Sequence, residues 1–127
     1  MPYKRVWEIP SAKIPAPKER ALQIVMSPQV DKGMQSCTLL TSIIAPRTGK
    51  TGVHTHPVDE YIYIITGRGE GEESGKTFKI EPGTLIYAPA GVEHDCRNLG
   101  DDTMVLFCIY VPALPDDVVE GIIKKSN

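Results

Sequence analysis

The chain has 127 residues, 41% of them hydrophobic and 24% charged, with a formal net charge of −2. That length suits one domain with its own core, and the balance of charge excludes the broad basic field that nucleic acid or an anionic membrane would need. No apolar run approaches the roughly 20 residues that span a bilayer, and three widely spaced cysteines, Cys37, Cys96 and Cys108, point to free thiols in a reducing cytoplasm rather than a disulfide framework.

The N-terminal stretch "MPYKRVWEIPSAKIPAPKER" is basic but lacks an apolar core and a cleavage site, so it does not read as a secretory signal. Its Pro-rich part predicts an extended arm over residues 1–20. The arm lies over the surface or against a partner subunit, with Trp7 as an anchor. From there Pro and Gly cut the chain into short segments, which argues against a helical bundle. "ALQIVMS" and "SCTLLTSIIA" read as strands, followed by "EYIYIITG". "RGEGEESGK" reads as a polar hairpin turn leading into "TFKIEPG". "TLIYAPAG", "EHDCRNLGDD" and "TMVLFCIYVP" complete the series. About eight short strands with regular turn signals predict an all-β sandwich or barrel over residues 21–113. Residues 114–127 read as a short helix and tail. Pro115 suits the first turn, Asp116 and Asp117 the positive end, Lys124 and Lys125 the negative end, and Val118, Val119, Ile122 and Ile123 the apolar stripe.

Two of the three histidines stand in "HTHPVDE". On a strand His54 and His56 would share a face, and the turn at Pro57 would let Glu60 return toward them from a neighbouring strand. Two imidazoles and a carboxylate suit a borderline divalent metal. The same residues would also serve as a solvated loop opening an edge strand. The third histidine, His94, opens a later strand after the turn "PAG", and a closed barrel would bring it beside the first pair.

These two segments resemble the paired motifs of the cupin superfamily. In the first, His54-x-His56, three residues, Glu60, six residues and Gly67 fit. The leading Gly does not, since Gly49 stands one residue too close. In the second, Gly83, Pro89, Gly91, His94 and Asn98 match every fixed position. The resemblance implies a double-stranded β-helix, a jelly-roll-like barrel, with His54, His56, Glu60 and His94 as metal ligands. Gly67, Gly83 and Gly91 would occupy turns, Pro89 would fix the turn before His94, and Asn98 would be a structural hydrogen-bonder. One divalent transition metal is expected, with Fe, Mn, Ni, Co and Zn all compatible.

Alternation places Ile62 and Ile64 on the ligand face of their strand and Cys96 on that of His94. Tyr87, Arg47, Lys50, Glu93 and Arg97 fall near the mouth by connectivity. An apolar pocket with few bases favours a metal-dependent enzyme acting on a small organic molecule, with dioxygenase- or lyase-like chemistry. The alternatives are a non-catalytic module that binds a sugar or carboxylate, and a sugar isomerase or epimerase. The last would need an acid–base pair that the sequence does not display. The expected assembly is a homodimer through the arm and the outer row Tyr61, Tyr63 and Ile65.

Overall fold

Alternation of apolar and polar side chains resolves into nine strands and one helix in the computed structural model, which describes residues 3–126. Met1, Pro2 and Asn127, at the outer ends of the expected arm and tail, lie outside the described residues. In chain order the strands are β1 (Ala12–Ile14), β2 (Arg20–Met26), β3 (Thr38–Ile44), β4 (Asp59–Thr66), β5 (Gly69–Glu73), β6 (Lys76–Ile80), β7 (Leu85–Ala88), β8 (His94–Asn98) and β9 (Met104–Val111), followed by helix α1 (Asp116–Lys125). They form a six-stranded sheet, β1-β2-β3-β9-β4-β7, and a three-stranded sheet, β6-β5-β8. The all-β barrel with a short terminal helix is the fold class that the sequence predicts.

The core lies between the two sheets. Strand β9 alternates strictly, with Met104, Leu106, Cys108 and Tyr110 inward, and β4 turns Glu60, Ile62 and Ile64 inward while Tyr61, Tyr63 and Ile65 stay exposed. A bulge on β4 between Ile64 and Thr66 shifts the register with β9, so that Thr66 pairs with Val105. Gly67 follows with φ +100°, and a Cβ there would stand 2.5 Å from Met104 Cα, so only glycine fits.

Two elements differ from the sequence reading. "RGEGEESGK" contains strand β5, which pairs with both β6 and β8. Its glycines make room for neighbours: a Cβ on Gly71 would meet the Phe78 ring at 2.4 Å. The residues that weaken the strand signal are therefore required by close packing. The arm also contributes β1, an edge strand in register with β2 from Ala12↔Leu22 to Ile14↔Arg20. Buried Gln23 ties the arm down further, its Nε2 donating to Val6 O and Ile9 O at 2.9 Å each. Lys4 Nζ donates to Val25 O and pairs with Asp31. Trp7 is left 80% exposed.

Helix α1 packs on β1 and β2. Pro115 stands just ahead of it as the N-cap rather than inside the first turn. Leu114 N donates to Thr38 Oγ1 at 2.9 Å, and Gln29 Nε2 donates to Asp116 Oδ1 at 2.6 Å. Val119 is fully buried.

Asn98 is fully enclosed at the end of β8. Its Nδ2 donates to Ile44 O at 3.1 Å and Asp102 O at 2.9 Å, and its Oδ1 accepts from Gly100 N at 3.0 Å. It ties the end of β3 to the end of β8 and the turn that follows. Asn98→Ala would strand these buried backbone groups and is expected to cost about 2–4 kcal/mol. Urea denaturation followed by far-UV circular dichroism checks this.

Candidate metal centre and cavity

Beside β8 runs the segment 49–54, which extends the smaller sheet. Asn98 N donates to Gly49 O, Thr51 N to Cys96 O, and His54 and His94 exchange both backbone hydrogen bonds at 3.0 Å. Asp95, buried at the next position, accepts from Gly52 N at 2.9 Å and Thr51 Oγ1 at 3.0 Å. His56 O then accepts from Gly91 N at 2.8 Å, so the turn ahead of β8 holds the second histidine. The chain bends at Pro57 and enters β4, where Glu60 faces inward.

The ligand atoms of His54, His56, Glu60 and His94 all lie within 4.8 Å of one another. Ring centroids are 4.7 Å apart for His54–His56 and 4.3 Å for His54–His94. His54 Nδ1 lies 2.6 Å from Gly52 O, and His94 Nδ1 lies 3.1 Å from Val92 O. A carbonyl only accepts, so each Nδ1 carries the proton and each Nε2 is turned toward the centre. Glu60 Oε1 stands 2.9 Å from His94 Nε2 and 3.3 Å from His56 Nε2. The latter contact is misaligned, and buried His56 Nε2 has no hydrogen-bonding partner in the protein. Three imidazole nitrogens and one carboxylate converge, one of them orphaned, which fits a divalent transition metal. The group could therefore bind a metal, as the sequence suggests.

The electrostatics follow from burial and mutual contact. Burial opposes ionisation of Glu60, but the imidazoles of His56 and His94 outweigh it and bring the carboxyl down to about 2. His94 is raised above 6.5: burial works against the imidazolium, while Glu60 and the Val92 carbonyl together prevail. His54 is lowered by burial, helped by the two other imidazoles and opposed by the Gly52 carbonyl.

The tetrad forms part of the wall of a cavity of about 200 Å³. Ile62 and Cys96 line it, as alternation predicts. Ile64 is inward but sits in the packed core without reaching the cavity. Tyr87 does not line the cavity, a correction to its expected place near the mouth. β7 pairs in register with β4, so Tyr87 shares the outward parity of Tyr61 and stacks on it at 5.2 Å, half exposed. Arg47 is also outside. It lies in the turn after β3, beyond the end where Ile44 pairs with Met104, and pairs with Asp101 at 3.0 Å. Arg97 turns outward to Glu70 and Glu72, and neither Lys50 nor Glu93 lines the cavity.

Several lining residues escaped the sequence reading: Arg20, Ser42, Cys108, Tyr110 and, from the helix, Val118 and Ile122. Parity was the available signal for most of them. Arg20 shares a face with Leu22 and Ile24, and Tyr110 follows Leu106 and Cys108. Burial pushes the Cys96 thiol up to about 12 and raises Cys108 and Tyr110 well above their ordinary values, so all three stay protonated. The Tyr110 ring meets that of His56 edge-on at 5.0 Å.

A two-sheet β-barrel with three histidines and one carboxylate converging on a central cavity defines a class of small barrels able to hold a metal. The sequence profile of the Cupin domain family matches residues 40–110, and the chain belongs to that family. An uncharacterized protein of Methanocaldococcus jannaschii is 32% identical over 95 residues, 73% of this chain and 74% of that one. L-ectoine synthase of Vibrio cholerae is 36% identical over 66 residues, and the matched region spans about half of each protein, 51% of this chain and 47% of the synthase. Among solved structures, a predicted oxalate decarboxylase of Thermotoga maritima superimposes with a TM-score of 0.76 at 20% identity, covering 87% of this chain and 98% of that one. At that identity the likeness is one of fold.

A metal held by the tetrad would compete with the proton for His94. Titration with Mn(II) or Ni(II) in buffers of different ionisation enthalpy is therefore expected to show proton release near neutral pH. Affinity should fall as pH drops through the raised His94 value, from above 6.5 downward. Glu60→Gln should weaken binding by at least about tenfold.

Proposed function

We propose that the protein is a metal-dependent enzyme acting on a small organic molecule, with lyase-type chemistry favoured over oxygenase. The observation that carries this is the placement of four convergent ligand side chains, including the unpartnered His56 Nε2, on the wall of a largely apolar cavity. A divalent Fe, Mn, Ni, Co or Zn ion held by His54, His56, Glu60 and His94 would supply Lewis-acid polarisation of a substrate oxygen. The chain's own residues do the rest. Leu40, Ile62, Leu106 and Leu114 give the cavity apolar walls that keep water from the reacting centre. Tyr110 keeps its phenolic proton and stands beside His56, where it can donate to a developing anion. The protonated thiols of Cys96 and Cys108 are poor nucleophiles.

Two further facts narrow the reaction, the first against an isomerase and the second toward the lyase form. The carboxylates and imidazoles that line the cavity, among the described residues, all belong to the tetrad. The acid–base pair that a sugar isomerase or epimerase needs is therefore not displayed. The similarity to L-ectoine synthase, a synthase rather than an oxygenase, also leans away from oxygen chemistry. The second reading is a non-catalytic binding module, which the scarcity of free bases also favours.

Elemental analysis of the protein as purified should find a stoichiometric transition metal. Anaerobic screening of small acids and sugars should then give turnover that His56→Ala abolishes and Tyr110→Phe slows about a hundredfold. Oxygen consumption would move the assignment to an oxygenase. Ligand-induced thermal shifts with no turnover in either atmosphere would leave the binding module.

A homodimer through the outer face of β4 and β7 is part of the same proposal. Tyr61, Tyr63, Ile65, Leu85 and Tyr87 are exposed there side by side, the composition of an interface centre rather than of free surface. Tyr63→Glu is expected to leave the fold intact and yield monomers in sedimentation velocity.

A further inference from the structure

Arg20 is half-buried, lines the cavity and makes no ion pair among the described residues. Its strand partner is Ile44, which is fully buried, and it shares the inward face of Leu22 and Ile24. Arg47, Arg68 and Arg97 each pair with a carboxylate. Arg20 has no ion pair among the described residues and donates one hydrogen bond, from Nη1 to Lys18 O at 3.0 Å. Asp95 lies within electrostatic reach, but its oxygens are occupied by Gly52 N, Thr51 and Arg97. Burial pulls the guanidinium pKa down, against the opposing influence of Tyr110 and Asp95. An arginine taken partly out of water with most of its five N–H donors unused calls for an anion.

A second observation is independent of the first. Ser42, on β3 directly across from Leu22, is buried and lines the same cavity, and its Oγ has no hydrogen-bonding partner in the protein. Arg20 stands two residues from Leu22 on the same face, the diagonal position, from which a long side chain reaches the neighbour's partner. Ser42 is level with Leu106 and Ile64, four residues along the strands from the level of Glu60, Tyr110 and Thr38. These groups are thus separate from the tetrad yet open on the same space.

We infer that Arg20 and Ser42 form an anion subsite that receives the carboxylate of a small organic acid, whose apolar remainder lies against Leu22, Leu40, Val118 and Ile122. The guanidinium fork matches a carboxylate in two parallel hydrogen bonds, and a serine hydroxyl can donate a third. The cavity of about 200 Å³ corresponds to about seven water volumes at roughly 30 Å³ each, which suits a short-chain acid. This names the ligand class of the cavity proposed above and rests on that reading of the cavity as a ligand site, but not on turnover.

Binding of butyrate, with butyramide as its neutral isostere, is measured by calorimetry on the full-length protein, both as purified and after EDTA treatment. Butyrate should bind in both states and butyramide in neither. Arg20→Met should weaken butyrate about tenfold to a hundredfold, and Ser42→Ala about threefold to tenfold. Arg20→Lys, which keeps the charge but not the fork, should fall between wild type and Arg20→Met, and it carries the test with Ser42→Ala if Arg20→Met does not fold. Equal binding of acid and amide, butyrate binding unchanged in the Arg20 variants, binding lost with EDTA but kept in Arg20→Met, or no butyrate binding by wild type would each overturn the subsite. None of these readouts involves catalysis, so a protein that binds butyrate through Arg20 without turning anything over refutes the enzyme reading and leaves the subsite standing.

Discussion

The pair of backbone hydrogen bonds between His54 and His94, each 3.0 Å long, is the joint on which the centre depends. It closes the segment 49–54 onto β8 and presents two imidazoles from different parts of the chain on one face. Neither ring is free to rotate, because Gly52 O and Val92 O each hold an Nδ1. Gly52 can offer its carbonyl because it adopts φ +82°, and buried Asp95 anchors its N–H. Positioning is therefore done by main-chain groups, which have little conformational freedom to lose once the sheet has formed.

Around this joint the interior is sorted by charge. Glu60 is ionised in the company of imidazoles, while the thiols and the phenol nearby hold their protons because burial disfavours the charged form. One negative charge among three imidazoles suits a divalent cation, whereas anions from Cys96, Cys108 and Tyr110 together would over-neutralise it. The apolar wall thus does more than fill space: it keeps the count of charges near the tetrad low.

How much of this was legible differs residue by residue. His54, His56, Glu60 and His94 could be found because their spacing forms a pattern that few other constraints produce, and β4 and β9 because their alternation is strict. Strand β5 was hidden by its glycines, which packing against Phe78 demands but which read as a turn. Tyr87 was misplaced because its orientation depends on the register of β7 against β4, a non-local fact. Arg20 was overlooked although its parity was available. A charged residue at the start of a strand reads as surface unless the opposing wall is known to be close. The lining role of α1 was beyond the sequence, since an amphipathic stripe shows that a helix packs but not against what.

The origin of that last wall has its own consequence. The two sheets carry the tetrad in ladders that tolerate little change, but Val118 and Ile122 come from a helix belonging to neither sheet, fastened at its entry by Leu114 to Thr38 and Gln29 to Asp116. Part of the cavity's shape and the tetrad able to hold a metal are thereby assigned to different stretches of chain. Descendants of such a barrel can alter the cavity through a few side chains near the C-terminus, with the four convergent side chains left untouched.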